Sequence, residues 1–201
     1  MVGMGDFFER VVDVEVTAEA AGPLAERIIH WLVSEDVITR ELSREGVYSP
    51  GADSGYVPGR EWRRAVADPS DAAWMAGPVA VMVGRDAYVA GQGSDEAEEA
   101  VCPRCSHTVV VIDWPHNPEP DEEAWRPFRD ALAVWRRTGE ASVHCPGCGA
   151  AVPVTEWNYG PGFALGALAF DFWGWPPLAE EFRSELRRRL GHRTQEQIGK
   201  F

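Results

Sequence analysis

CPRCSHTVVVIDWPHNPEPDEEAWRPFRDALAVWRRTGEASVHCPGCG, residues 102–149, decides how the rest of the chain is read. It opens on Cys102-Pro-Arg-Cys105 and closes on Cys145-Pro-Gly-Cys148-Gly149, and these hold the only four cysteines of the protein. Two cysteines spaced C-x-x-C sit on one tight turn and aim two sulfurs at one point. Two such turns facing each other make a tetrahedral thiolate site. The proline after the first cysteine of each pair stiffens the turn. Gly149 tolerates the positive φ that lets backbone N–H groups point back at sulfur. Cys102, Cys105, Cys145 and Cys148 are therefore the candidate metal ligands, with Zn²⁺ as the expected ion and no position left open for water or substrate.

Other uses of these cysteines fit less well. A thioredoxin-like redox pair accounts for one C-x-x-C but not for two matched ones. Structural disulfides need an oxidising compartment, and no secretory signal is visible in the sequence. Iron is the substitute metal, because rubredoxin sites use similar Cys-Pro-x-Cys-Gly turns. The segment resembles zinc ribbons, with two departures. Ser106 stands where the first turn often carries glycine, and residues 106–144 form a longer loop than usual. That excess is expected to fold, and His107 and His144 beside the cysteines are expected to orient or face solvent, not ligate.

Composition sets the limits on function. A chain of 201 residues, 45% hydrophobic with nine tryptophans, is long enough to bury a core. The formal charge is −13. Four thiolates around one Zn²⁺ add a further −2, giving about −15 for the loaded protein. That field repels nucleic acid and anionic membrane, so neither is an expected partner. The longest apolar run, Phe163 to Phe170, is too short to span a bilayer. With no basic segment ahead of an apolar one near Met1, the expected location is cytoplasmic.

The N-terminal part reads as a strand over Phe7 to Val16, then a helix capped by Thr17 and running to about Ser34. Leu24, Ile28, Trp31 and Leu32 give that helix its apolar face, with His30 at the edge. From Val37 to Asp71 glycines and prolines mark loops. Tyr48, Tyr56 and Trp62 punctuate them and are the candidate partner-binding residues. Arg60, Arg63 and Arg64 make a local basic patch. Val79 to Val83, Gly84-Arg85 and Ala87 to Ala90 read as a β-hairpin turning at Gly84. Gly91, Gly93 and the acidic run Asp95 to Glu99 read as the hinge into the cysteine segment.

Inside that segment Thr108 to Ile112 is a strand, and Asp121, Glu122 and Glu123 open a helix over about 121–137. Trp125, Phe128, Leu132 and Trp135 form its stripe, expected to pack on a core, and Gly139 ends it. Val152 to Trp157 is a closing strand, and Phe163 to Trp173 a buried one. Pro177 is expected in the first turn of a last helix whose inner face is Leu178, Phe182, Leu186 and Leu190, with Gly191 after its end. His192 to Phe201 completes the chain as a strand. Arg187, Arg188, Arg189, His192 and Arg193 gather at the end of that helix, where cations offset its dipole.

The order strand-helix-strands, insert, strand-helix-strand predicts an α+β protein: a ferredoxin-like βαβ repeat sandwich with an inserted, helix-extended zinc ribbon. The core domain is expected over 1–99 and 158–201, and the insert over 100–157. The opening segment, the two Cys-Pro-x-Cys turns and the ending from Phe172-Trp-Gly-Trp-Pro-Pro through Leu190-Gly-His-Arg to Gly199-Lys-Phe resemble a family of uncharacterised small bacterial proteins. Some of its members carry the label of sugar-transporter ATPases. The resemblance implies no activity, and the label conflicts with the residues: G-x-x-x-x-G-K-[ST] is missing, and the only lysine is Lys200. G-x-S-x-G, H-E-x-x-H and G-x-G-x-x-G are missing too.

The expected function is a non-enzymatic protein-binding module with a structural zinc site: an adaptor, a regulator or an immunity-type protein facing a basic protein partner. The alternatives are a nucleic-acid-binding zinc ribbon, using the arginine clusters, and a hydrolase using Asp113, His116, Glu156 and Asp171.

Overall fold

The computed structural model describes residues 7–70, 75–90 and 95–200. The described residues divide into two compact units. A core unit holds 7–70, 75–84, Ala90 and 166–200, and a cysteine unit holds 85–89 and 95–165.

In the core unit, β1 (Phe7–Asp13) stops where the Asp13 carboxylate accepts the N–H groups of Glu15 and Val16, 3.1 and 2.9 Å away. That turn, and not a longer strand to Val16, leads into α1 (Ala18–Ser34). Thr17 caps the helix by accepting from the Ala20 N–H. Next come β2 (Ile38–Ser43), β3 (Gly55–Pro58), a 3-10 turn over Trp62–Ala65 and β4 (Val79–Val89). After the cysteine unit the chain returns through β9 (Phe163–Trp173), α3 (Glu180–Leu190) and β10 (Thr194–Lys200). The six strands order as β10-β1-β9-β4-β3-β2, a mainly antiparallel sheet, so the protein is α+β.

Alternation along β1 and β9 divides this sheet into two faces. Val11, Leu168, Phe170 and Phe172 turn towards α1 and α3, meeting Leu24, Ile28 and Leu32 of one helix and Phe182, Leu186 and Leu190 of the other. The opposite face carries Arg10 paired with Asp171, and Phe8 paired with Trp173.

Three expectations are corrected here. Residues 79–89 are one strand and not a hairpin: Gly84 has φ +124°, and β4 has β9 and β3 as neighbours, so it need not fold back on itself. Residues 37–71 hold two strands between their loops. The last helix begins at Glu180 and not at Pro177, because the preceding segment bridges to Val66. The Leu178 N–H goes to Glu9 Oε2 at 2.8 Å, and the Ala179 N–H to the Ala65 carbonyl at 2.8 Å. The hinge glycines Gly91 and Gly93 lie outside the described residues.

The cysteine unit is built on two short antiparallel ribbons, β5 (Glu99–Val101) with β6 (Thr108–Val110), and β7 (Ser142–His144) with β8 (Ala151–Pro153). Between them runs α2 (Glu122–Thr138). Asp121 caps it at the N-terminus, and Gly139 follows at φ +84° with its N–H on the Trp135 carbonyl. The stripe of Trp125, Phe128, Leu132 and Trp135 is buried, each side chain contributing roughly 1.5–3 kcal/mol by area removed from water. Trp125 stacks on Phe128 at 5.4 Å, and Phe128 meets Trp157 edge-on at 4.9 Å. Tyr159, Phe163 and Leu165 join the same cluster, which carries this unit past residue 157 to Leu165.

Candidate metal centre

Each cysteine pair sits on the turn that closes one ribbon, and the two turns share one hydrogen-bond pattern. In the first, the Cys102 N–H donates to the His107 carbonyl at 2.9 Å and the Ser106 N–H donates to the Cys102 carbonyl at 2.9 Å. In the second, the Cys145 N–H donates to the Ala150 carbonyl at 2.9 Å and the Gly149 N–H to the Cys145 carbonyl at 2.8 Å. Ser106 and Gly149 both adopt positive φ, 60° and 72°. Cys102 and Cys145 are buried among the apolar residues of the cysteine unit, and Cys105 and Cys148 are exposed.

The four sulfurs all lie within 4.8 Å of one another, with Cys105 and Cys145 Sγ 3.6 Å apart. A tetrahedral ion with Zn–S bonds of about 2.3 Å needs sulfurs about 3.8 Å apart. The donor set and its spacing therefore fit a metal ion, and no fifth side chain is required. The backbone N–H of His107 bonds Cys105 and favours its thiolate. Partial desolvation at the cluster and the three neighbouring thiols outweigh it and push this thiol up to about 12. A divalent cation at the centre reverses that balance by holding all four sulfurs as thiolates.

The flanking histidines take supporting places. His144 Nδ1 lies 3.3 Å from the Gly149 carbonyl. A Cβ on Gly147 would meet Cβ and Cγ of His107 at 2.7 Å, so the first turn lies against the second where only glycine fits.

The remaining candidates do not converge. Tyr48, 45% exposed, lies edge-on to Trp173 at 5.5 Å on one face of the core sheet. Trp62 meets Trp175 at 5.6 Å and Tyr56 packs on the helix-side core, so the three aromatic residues do not form one surface. Asp171 is fully buried and engaged by Arg10, at 2.6 and 2.8 Å, and by the Ser49 hydroxyl at 2.6 Å. Asp113 and His116 make an exposed pair at 3.5 Å, and Glu156 is an exposed residue of a 3-10 turn. His30 is exposed on α1.

The arginine clusters are matched by carboxylates. Arg60 bonds Asp36 at 2.7 Å, Arg64 lies 3.6 Å from Glu35, and Arg63 covers the Trp62 ring. Arg187 bonds Glu180 and Glu196, Arg188 and Arg189 share Glu185, Arg193 pairs with Glu15, and His192 Nδ1 is 2.9 Å from Asp13.

Sequence reading missed Trp114, 57% exposed beyond β6, and Val110, 51% exposed on that strand. No periodicity marks either residue. Comparison of the chain with models of known protein families, with curated proteins and with solved structures finds no match.

Proposed function

We propose that this protein is a zinc-stabilised protein-binding module, of adaptor, regulator or immunity type, acting on a basic protein partner and not by catalysis. The observation that carries this reading is the closed donor set. Four sulfurs within 4.8 Å of one another use every position of a tetrahedral ion and leave none for a reacting water. The metal then supplies folding free energy to the cysteine unit, two of its ligands being part of that unit's core.

One observation opposes the hydrolase alternative and one the nucleic-acid alternative. The carboxylate best placed for chemistry by burial, Asp171, is held by Arg10 and Ser49. The formal charge of −13 suits a basic partner and opposes nucleic acid. In the same reading the core unit is ferredoxin-like: β10-β1-β9-β4 are ordered as in that fold, α1 follows β1, α3 links β9 to β10, and β3 and β2 extend the edge. The paired ribbons with a cysteine turn on each support the zinc-ribbon assignment. Reduced thiolates suit the cytoplasm, and no described helix is long and apolar enough to cross a membrane.

Affinity capture from the source cells, repeated across a salt series, tests the reading. A specific protein released progressively as salt rises is the expected result. Turnover in a hydrolase screen, or a tight duplex complex whose affinity falls steeply with salt, overturns it.

A further inference from the structure

The outward face of the β5–β6 ribbon combines exposed apolar side chains with charge of one sign. Residues directly opposite in an antiparallel pair project to the same side. Ala100 and Val109 are opposite each other and pack on the aromatic cluster. Glu99 with Val110, and Val101 with Thr108, therefore face outwards. Val110 is 51% exposed and Trp114 57%.

Backbone bonds gather carboxylates at this corner. The Glu98 carbonyl accepts from Val111 and Ile112 at 2.8 and 2.9 Å, and the Val111 carbonyl accepts from Asp121 at 2.7 Å. Glu98–Glu99, the end of β6 and the start of α2 are thereby neighbours. Residues 95–123 carry nine carboxylates and one arginine, Arg104, which sits on the cysteine turn at the other end of the ribbon. Some of these acids have local work. Asp121 caps α2, Glu122 bonds Arg129 at 2.6 Å, and Asp113 faces His116. Glu98, Glu99, Glu119 and Glu123 are exposed.

We propose that this corner of the cysteine unit docks a basic peptide segment of the partner protein, an apolar side chain resting on Trp114 or Val110 while arginines or lysines meet Glu98, Glu99, Glu119 and Glu123. The proposal rests on the protein-binding reading and assigns it a surface. Charge selects the occupant: the cysteine unit has 13 acidic and 6 basic residues. A second copy, a nucleic acid or an anionic membrane would meet charge of its own sign there.

The probe is a short labelled peptide of alternating arginine and leucine, with an alternating glutamate and leucine peptide as control. Anisotropy titrations use the metal-loaded full chain. The arginine peptide is expected to bind, and Trp114→Ala to weaken it by about tenfold or more. Glu98→Gln with Glu99→Gln is expected to weaken it and flatten its salt dependence. Unchanged metal content shows that each variant is folded. Equal binding of the glutamate peptide, no binding of the arginine peptide, or unchanged affinity in both variants overturns the assignment. A captured natural partner that binds both variants as well as it binds the unaltered chain leaves the protein-binding reading standing and overturns this surface alone.

Discussion

Ser106 and Gly149 occupy the same place in the two cysteine turns: both lie at positive φ, 60° and 72°, and each donates its N–H to the carbonyl of the first cysteine of its pair. Only one of them is a glycine. For a residue with a Cβ the left-handed region costs roughly 1–2 kcal/mol, partly offset by the greater entropy that glycine loses on folding. Ser106→Gly is therefore expected to stabilise the cysteine unit by up to about 1 kcal/mol. Gly149→Ala, where no atom crowds the new methyl, is expected to destabilise it by a similar amount, up to about 1 kcal/mol. Chelator competition, read by tryptophan fluorescence, ranks the variants.

Metal content gives the second test. Protein purified under reducing conditions without chelator is expected to hold one ion per chain by elemental analysis. Cys148→Ser should lose most of it, although Cys148 is exposed, because a ligand is lost wherever it sits. Stripping the ion should alter the near-ultraviolet circular dichroism from the Trp125, Phe128 and Trp157 cluster.

The buried Arg10–Asp171 pair gives the third. Asp171 also accepts from Ser49, which in turn accepts from Trp173 Nε1 at 2.8 Å, so the carboxylate holds residues 48–49 to the sheet. Asp171→Ala leaves Arg10 buried without this partner and is expected to cost about 3–5 kcal/mol in urea denaturation. Arg10→Met with Asp171→Leu should recover much of that loss, and proteolysis near Tyr48 should stay faster than in the unaltered chain.

Two carboxylates should give opposite pH dependences. Burial raises Glu9 above the ordinary 4.5, although the Leu178 N–H and Arg183 oppose it. Its contribution is complete below 4.5 and is lost as pH rises through the folded value. Glu185 is held down to about 2 by Arg188, then Arg189. Its contribution is present above the unfolded value of 4.5 and is lost as pH falls towards 2. Glu9→Gln should thus improve relative to the unaltered chain as pH rises from 4.5, and Glu185→Gln should worsen relative to it as pH rises from 2 to 4.5. Chemical denaturation across pH checks both slopes.

Helices were the legible part of this chain, because their signals are local. Thr17, Asp121, Gly139 and Gly191 each stand at the helix end they mark. The cysteines were legible because their spacing is the geometry of the site. Pairing was not. Glu9, Arg10 and Asp13 look like solvent residues in β1, yet all three are buried, Arg10 against a carboxylate far along the chain. In β2 only Ile38 is buried, since it is an edge strand, and no alternation announces it. Nothing local shows that Tyr159, Phe163 and Leu165 belong to the second core and not the first. Trp114 was invisible for the converse reason: exposure of one aromatic residue leaves no pattern.

The strand order also constrains how the chain is made. β1 lies between β9 and β10, so its only hydrogen-bonding neighbours in the sheet come from the last part of the described chain. During synthesis it must wait unpaired while residues 14–162 emerge, roughly 7–30 s at 5–20 residues per second. The cysteine unit has its ligands and nearly all of its aromatic cluster by then. On the ribosome the second unit to begin is therefore the first able to finish, and the speed of translation sets how long the earlier half stands open.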